Sequence, residues 1–166
     1  MRITNYGLEL NGAGQAVLVK ESAFNAQDVL LSTPTAVAIF FKEYYRLQNK
    51  AEELLFVVAV NNKIKPIGVF QVSHGTNDSC FCNPREILIR LLLLGASDFI
   101  VVHNHPSGDC TPSEVDCLST ERLINAGNLV GIGLLDHIIV GGNRYFSFSE
   151  SGFIRPLSTR CKGSLK

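Results

Sequence analysis

The sequence predicts an α/β domain, a mixed central β-sheet with helices on its faces, and three observations carry that expectation. Leu54-Leu-Phe-Val-Val-Ala-Val60 is a nearly continuous, β-branched-rich run, the pattern of a strand covered on both faces. Ser32-Thr33-Pro34 and Asn83-Pro84 each put a capping side chain before a proline at the first helical position, where its missing N–H costs nothing. A further apolar strand, Asp98-Phe-Ile-Val-Val102, runs into a Gly/Pro-rich loop and then a third helical stretch. Helices alternating with apolar strands are the signature of a layered α/β domain.

Taken in order, Leu8-Glu-Leu10 and Ala16-Val-Leu-Val-Lys20 flank Asn11-Gly-Ala-Gly14 and read as a hairpin or edge strands. Residues 1–31 are therefore set apart as an N-terminal extension ahead of a domain spanning 32–153. After the Ser32-Thr33-Pro34 cap, Val37, Phe40, Phe41, Tyr44 and Leu47 repeat at helical spacing, with the helix fading near Asn49. The strand from Leu54 turns at Asn61-Asn62 and returns as Pro66–Val72, after which His74 to Ser79 read as loop and Cys80-Phe-Cys82 as a short extended segment. The second helix, Arg85 to about Leu94, is so rich in Ile and Leu that burial on most sides is expected. A third helix, about 113 to 126, is capped by Thr111 or Ser113 and should stop at Gly127. Leu134–Val140 and Arg144–Phe148 close the domain as paired strands around Gly141-Gly142-Asn143, and 154–166 form a basic tail.

Composition limits the functional classes. A chain of 166 residues with 46% hydrophobic and 18% charged content is long enough and apolar enough to bury a core. Fifteen basic and fifteen acidic residues cancel, which gives no global drive towards nucleic acid or an anionic membrane. Met1-Arg-Ile-Thr-Asn-Tyr6 lacks the apolar core of a signal peptide, and the run around Leu91–Leu94 is too short to span a bilayer, so cytoplasmic residence is expected. Five cysteines, an odd number, favour reduced thiols, and Cys80-x-Cys82 has no second pair at zinc-ribbon spacing.

The chemistry gathers in His103-Asn-His105-Pro-Ser-Gly-Asp-Cys-Thr-Pro-Ser113-Glu-Val-Asp116. Residues i and i+2 of a strand share a face about 6.5 Å apart, so His103 and His105 can offer two imidazoles to one metal. Asp116, in the first turn of the next helix, can close the site from the other side. Two histidines and a carboxylate leave tetrahedral zinc an open position for water, the arrangement of a catalytic site. A lone strand-end histidine is ordinarily a satisfied polar residue; the pair followed by Ser-x-x-Asp weighs heavily towards metal.

His103-x-His105-x7-Ser113-x2-Asp116 resembles, position for position, the JAMM motif of the JAB/MPN metalloprotease superfamily. His103-Asn-His105-Pro-Ser-Gly108, Pro84-Arg-Glu86, Leu134-Leu-Asp-His137 and Tyr145-Phe-Ser-Phe148 resemble the RadC-like branch, over roughly residues 32–153. The resemblance implies a JAB/MPN (cytidine-deaminase-like) architecture and a zinc-dependent peptidase or isopeptidase acting on a peptide or protein substrate. It implies Zn2+ held by His103, His105 and Asp116, with Ser113 donating to the developing oxyanion. It also implies an acid/base glutamate just before the first buried strand. Glu53 takes that place; Glu52 is its neighbour, and counting back from the Asn61-Asn62 turn favours Glu53. Such a carboxylate accepts the proton of the attacking water and delivers it to the leaving amine.

Simpler roles stand beside these. Ser113 reads equally as a helix cap, His137 as a structural strand residue with Asp136 facing the other way, His74 as a loop residue, and Cys110 as an exposed bystander in the metal loop. The RadC name is tied to DNA repair, which makes a nucleic-acid or protein-interaction module the alternative function. Nothing in residues 1–30 resembles a helix-hairpin-helix, and the neutral charge predicts weak duplex binding by this chain alone. A non-catalytic scaffold would lack metal ligands that this chain retains, and a nucleobase deaminase would need His-x-Glu and Cys-x-x-Cys strings that do not occur.

Overall fold

The computed structural model describes residues 1–27, 31–74 and 83–154, so Cys80-Phe-Cys82, the loop before it and the basic tail beyond Ile154 lie outside the described residues. Seven strands form one mixed sheet in the order β2-β1-β4-β3-β5-β6-β7: β1 Arg2–Leu10, β2 Ala16–Asn25, β3 Leu54–Val60, β4 Pro66–His74, β5 Asp98–Asn104, β6 Gly133–Gly141 and β7 Arg144–Ser147. The pairs β1/β4 and β5/β6 are parallel and the rest antiparallel. Among the described residues no helix is long and apolar enough to cross a membrane.

Strand alternation splits the core in two. Phe56, Val58, Ile100, Val102, Ile138 and Val140 pack under α1 (Pro34–Tyr45). Val57, Phe99, Val101 and Ile139 point the opposite way, where Ile87 and Leu91 of α2 (Pro84–Leu94) and Leu123 of α3 (Glu114–Val130) cover them. Every residue of β3 is buried, as its unbroken apolar run requires. A small cavity of about 180 Å³ lies on the α1 side, lined by Val37, Ile64, Ile100, Ile138 and Asp136 among others.

The capping signals act as expected. Thr33 accepts from Ala36 N at 3.2 Å, and Asn83 from Arg85 N at 3.1 Å, each with proline next in line. Several boundaries differ from expectation. The first helix ends at Tyr45, because Arg46 turns left-handed (φ 51°) and a short 3-10 turn, Leu47–Asn49, swings Leu47 into the core. The second helix is not buried on most sides. Lying outside the sheet, it covers it with one stripe, Ile87 and Leu91, and leaves Leu92 and Leu93 exposed. The third helix runs through Gly127 to Val130, since the bare glycine lets it press against the Ile132 carbonyl and the Phe99 ring, where a Cβ would collide. The first hairpin is longer than its apolar signal, and its first strand joins the main sheet beside β4. The fourth strand continues through His74, where the sequence predicts loop.

Strand β6 carries one irregularity that decides which way its later side chains point. Phe99 pairs with Leu134 but Ile100 with Asp136, so Leu135 is an extra residue that bulges the strand. Leu134 faces α3; after the bulge the odd-numbered residues, His137 and Ile139, take that face.

Asp136 ties the last turn together, accepting from Ser147 Oγ at 2.7 Å, Ser149 N at 2.9 Å and His137 N at 2.8 Å. Burial nevertheless pushes its carboxyl up to about 6, against the pull of those three donors. An acid whose folded pKa exceeds its unfolded value, about 3.9, binds the extra proton in the folded state, so its contribution to stability declines as pH rises between the two. The unfolding free energy of the wild type minus that of Asp136→Asn should therefore fall by up to ~3 kcal/mol between about pH 4 and 7. Urea titrations across that range check it; a constant difference would contradict the assignment.

Candidate metal centre

The centre stands at the C-terminal end of β5, the strand buried between antiparallel β3 and parallel β6. His103 occupies the last apolar-facing position on the α3 side, and His105 follows just beyond the strand. Asp116 enters from the first turn of α3. One ligand atom from each of these three residues lies within 4.8 Å of the others, and all three are buried or half-buried. His103 Nε2 is 3.0 Å from His105 Nε2; Asp116 Oδ1 is 3.3 Å from the first and Oδ2 3.4 Å from the second.

Local structure aims each group. His105 Nδ1 lies 2.8 Å from the carbonyl of Asp109, which only accepts, so Nδ1 carries the proton and a neutral His105 turns a bare Nε2 to the centre. The loop that brings Asp109 there rests on the end of β6. His105 N donates to Val140 O at 2.9 Å, and a Cβ on Gly141 would come within 2.7 Å of Gly108 O and 2.8 Å of Cys110 N. Only glycine allows that approach. His103 Nδ1 lies 2.8 Å from Nε2 of His137, whose Nδ1 is 2.6 Å from Thr120 Oγ1.

Asp116 and Ser113 form a capping box. Ser113 Oγ accepts from Asp116 N at 3.1 Å and donates to Asp116 Oδ2 at 2.6 Å, while Ser113 N donates to the same oxygen at 2.8 Å. The hydroxyl is thus both helix cap and orienter of a ligand carboxylate. Burial opposes the charge on Asp116, yet hydrogen bonds from His103 and His105, in the forms that carry a proton at Nε2, and from Ser113 hold it well below the usual carboxylate range. The Asp116 hydrogen bond in turn raises His105, against burial, with Asp109 O and the charges of Asp116 and Glu53 adding to it.

Glu53 immediately precedes β3, the other neighbouring strand. Leu55 pairs with His103, and continuing that antiparallel register by two residues sets Glu53 across from His105. Glu52 precedes it in the bend, where its carbonyl accepts from Asn104. Asn104, fully buried between the two histidines, grips the chain on both sides of Glu53: Oδ1 accepts from Leu54 N at 2.9 Å, and Nδ2 donates to Glu52 O at 3.0 Å and more weakly to Lys50 O at 3.4 Å.

Sequence reasoning passes over Asn104 and Thr120. Their polar character at buried positions of otherwise apolar faces is the available signal. Cys110 is half-buried against the α3-side core, not an exposed bystander, and the metal-capable group does not include it.

The donor set suits a divalent cation of zinc type: two imidazole nitrogens and one carboxylate oxygen, converging, with the second nitrogen of each imidazole hydrogen-bonded. The RadC-like JAB domain family matches residues 31–153 of this chain. The chain belongs to that family. It is similar to the UPF0758 protein of Thermotoga maritima, 45% identical over 100 residues, 60% of this chain and 45% of the relative. It is similar also to that of Methanosarcina acetivorans, 38% identical over 112 residues, 68% of this chain and 49% of the relative. A UPF0758 protein of Caldanaerobacter subterraneus is 37% identical over 151 residues, 86% of this chain and 64% of the relative. The chain thus spans roughly half to two thirds of the length of these relatives.

Replacing Asn104 tests the clamp on Glu53. Asn104→Ala leaves the buried backbone N–H of Leu54 without its acceptor and should cost ~2 kcal/mol in urea unfolding. Asn104→Asp should cost no less, because it opposes an anion to the Glu52 carbonyl. Both variants matching the wild type would show that the clamp holds nothing.

Proposed function

We propose that this chain is a zinc-dependent amide hydrolase of the JAMM type, a metallopeptidase or isopeptidase acting on a peptide or protein substrate in the cytoplasm. The observation that carries the reading is the convergence of His103, His105 and Asp116, with Glu53 in register opposite His105. Zinc held by these three ligands would supply Lewis acidity and lower the pKa of water. Glu53 takes the proton of the attacking water and returns it to the leaving amine, a transfer that contributes typically 10²–10⁴-fold. Its half-buried position and its backbone, gripped at Glu52 and Leu54, favour a fixed carboxylate. Ser113 steadies Asp116 through Oδ2, leaving Oδ1 turned towards His103. Because Ser113 N also donates to Oδ2, the single hydroxyl proton of Ser113 can swing to a developing tetrahedral oxyanion without leaving that oxygen unheld.

Purified protein loaded with zinc and desalted should hold one equivalent by elemental analysis, and His103→Ala should hold far less. Glu53→Gln should keep the metal while losing ~10²-fold or more of wild-type cleavage of a peptide or isopeptide library. Absence of bound zinc in the wild type, or full activity in Glu53→Gln, would sink the reading.

A further inference from the structure

His137 and Thr120 touch no atom of the proposed chemistry, yet they join two of the three ligands behind the centre. The chain of contacts runs from His103 Nδ1 to His137 Nε2 at 2.8 Å, from His137 Nδ1 to Thr120 Oγ1 at 2.6 Å, and from Thr120 Oγ1 to the Asp116 carbonyl at 2.6 Å. Its last member decides the direction of the others. A carbonyl only accepts, so the Thr120 proton goes to Asp116 O. His137 Nδ1 must then donate to Thr120 Oγ1, which leaves Nε2 of a neutral His137 as an acceptor. Nδ1 of His103 therefore carries the proton, and Nε2 of a neutral His103 faces the centre bare.

We infer that His137 and Thr120 are positioning residues, a buried relay anchored on the Asp116 carbonyl that fixes His103 in its metal-binding tautomer. The inference rests on the proposed metal centre. The surroundings suit a fixed relay: His137 is 1% exposed, Thr120 is fully buried, and the His137 ring stacks on Phe148 with centroids 4.9 Å apart and planes 11° from parallel. The reverse relay, with Thr120 donating to His137 and His137 Nε2–H donating to His103, would put a proton on His103 Nε2 and bar it from a metal. The Thr120–Asp116 hydrogen bond selects against that state. The bulge at Leu135 is what turns His137 to this face.

Two measurements test it. In metal-free wild type at a pH high enough to leave both rings neutral, a long-range ¹H–¹⁵N spectrum should report His137 protonated at Nδ1 and bare at Nε2, and His103 likewise. In a zinc competition titration, His137→Phe, which keeps the aromatic stack but accepts nothing, should bind ~10–100-fold more weakly, as loss of the partner behind a ligand typically does. His137→Gln, able to accept from His103 and donate to Thr120, should stay within about threefold, and Thr120→Ser should rescue what Thr120→Val loses. The opposite tautomer in the wild-type spectrum, or a folded His137→Phe with wild-type zinc affinity, overturns the relay. Should His137→Phe fail to fold, the wild-type spectrum and the Thr120 pair still decide. A wild type that binds no zinc defeats the proposed function, while the metal-free spectrum still judges the relay on its own.

Discussion

Two imidazole lone pairs and a carboxylate oxygen aimed at one point repel each other unless a cation or a shared proton lies between them. Much of the local structure works against that repulsion. Ser113 holds one oxygen of Asp116 through two donors, the Asp109 carbonyl turns His105, and His137 holds His103 from behind. The ligands are thereby ordered without a metal to order them, and binding one gives up little side-chain freedom.

Rigidity at the centre comes from its place in the sheet. The strand bearing the histidines is buried from Phe99 to Asn104 and flanked on both sides. Each neighbour delivers something: β3 leads in from Glu53, and β6 brings His137 and the glycine against which the metal loop rests. Asn104 serves the opposite face of the same strand, so three successive residues, His103, Asn104 and His105, divide the work between ligation and the placement of Glu53. The RadC-like JAB family, to which the chain belongs, accounts for residues 31–153, and the first hairpin extends the sheet beyond that span.

What is legible in the sequence is what a local pattern encodes. Period-two spacing joins His103 to His105, a cap-and-carboxylate signature places Ser113 and Asp116 on one helical turn, and a buried run fixes where β3 starts and so which glutamate precedes it. Helix ends are less legible, because a glycine stops a helix or lets it pack closely, and Gly127 does the second. The burial of α2 falls short of its apolar content, since composition does not say how many neighbours a helix has. His137 reads as a purely structural residue because its partner lies 34 residues away on a parallel strand, and parallel register leaves no mark in a single sequence. Thr120 and Asn104 are hidden because their partners also lie far along the chain, 17 residues away in His137 and 50 in Leu54.

The bulge in β6 lets the strand hold one residue more than a regular ladder without disturbing the faces beyond it. Were the strand regular with Leu135 in place, period two would turn everything downstream of it to the other face. The carboxylate of Asp136 would then enter the core behind the centre, and the imidazole of His137 would leave it. Deleting Leu135 would therefore spare the relay, whereas keeping it and forcing the strand straight would dismantle it.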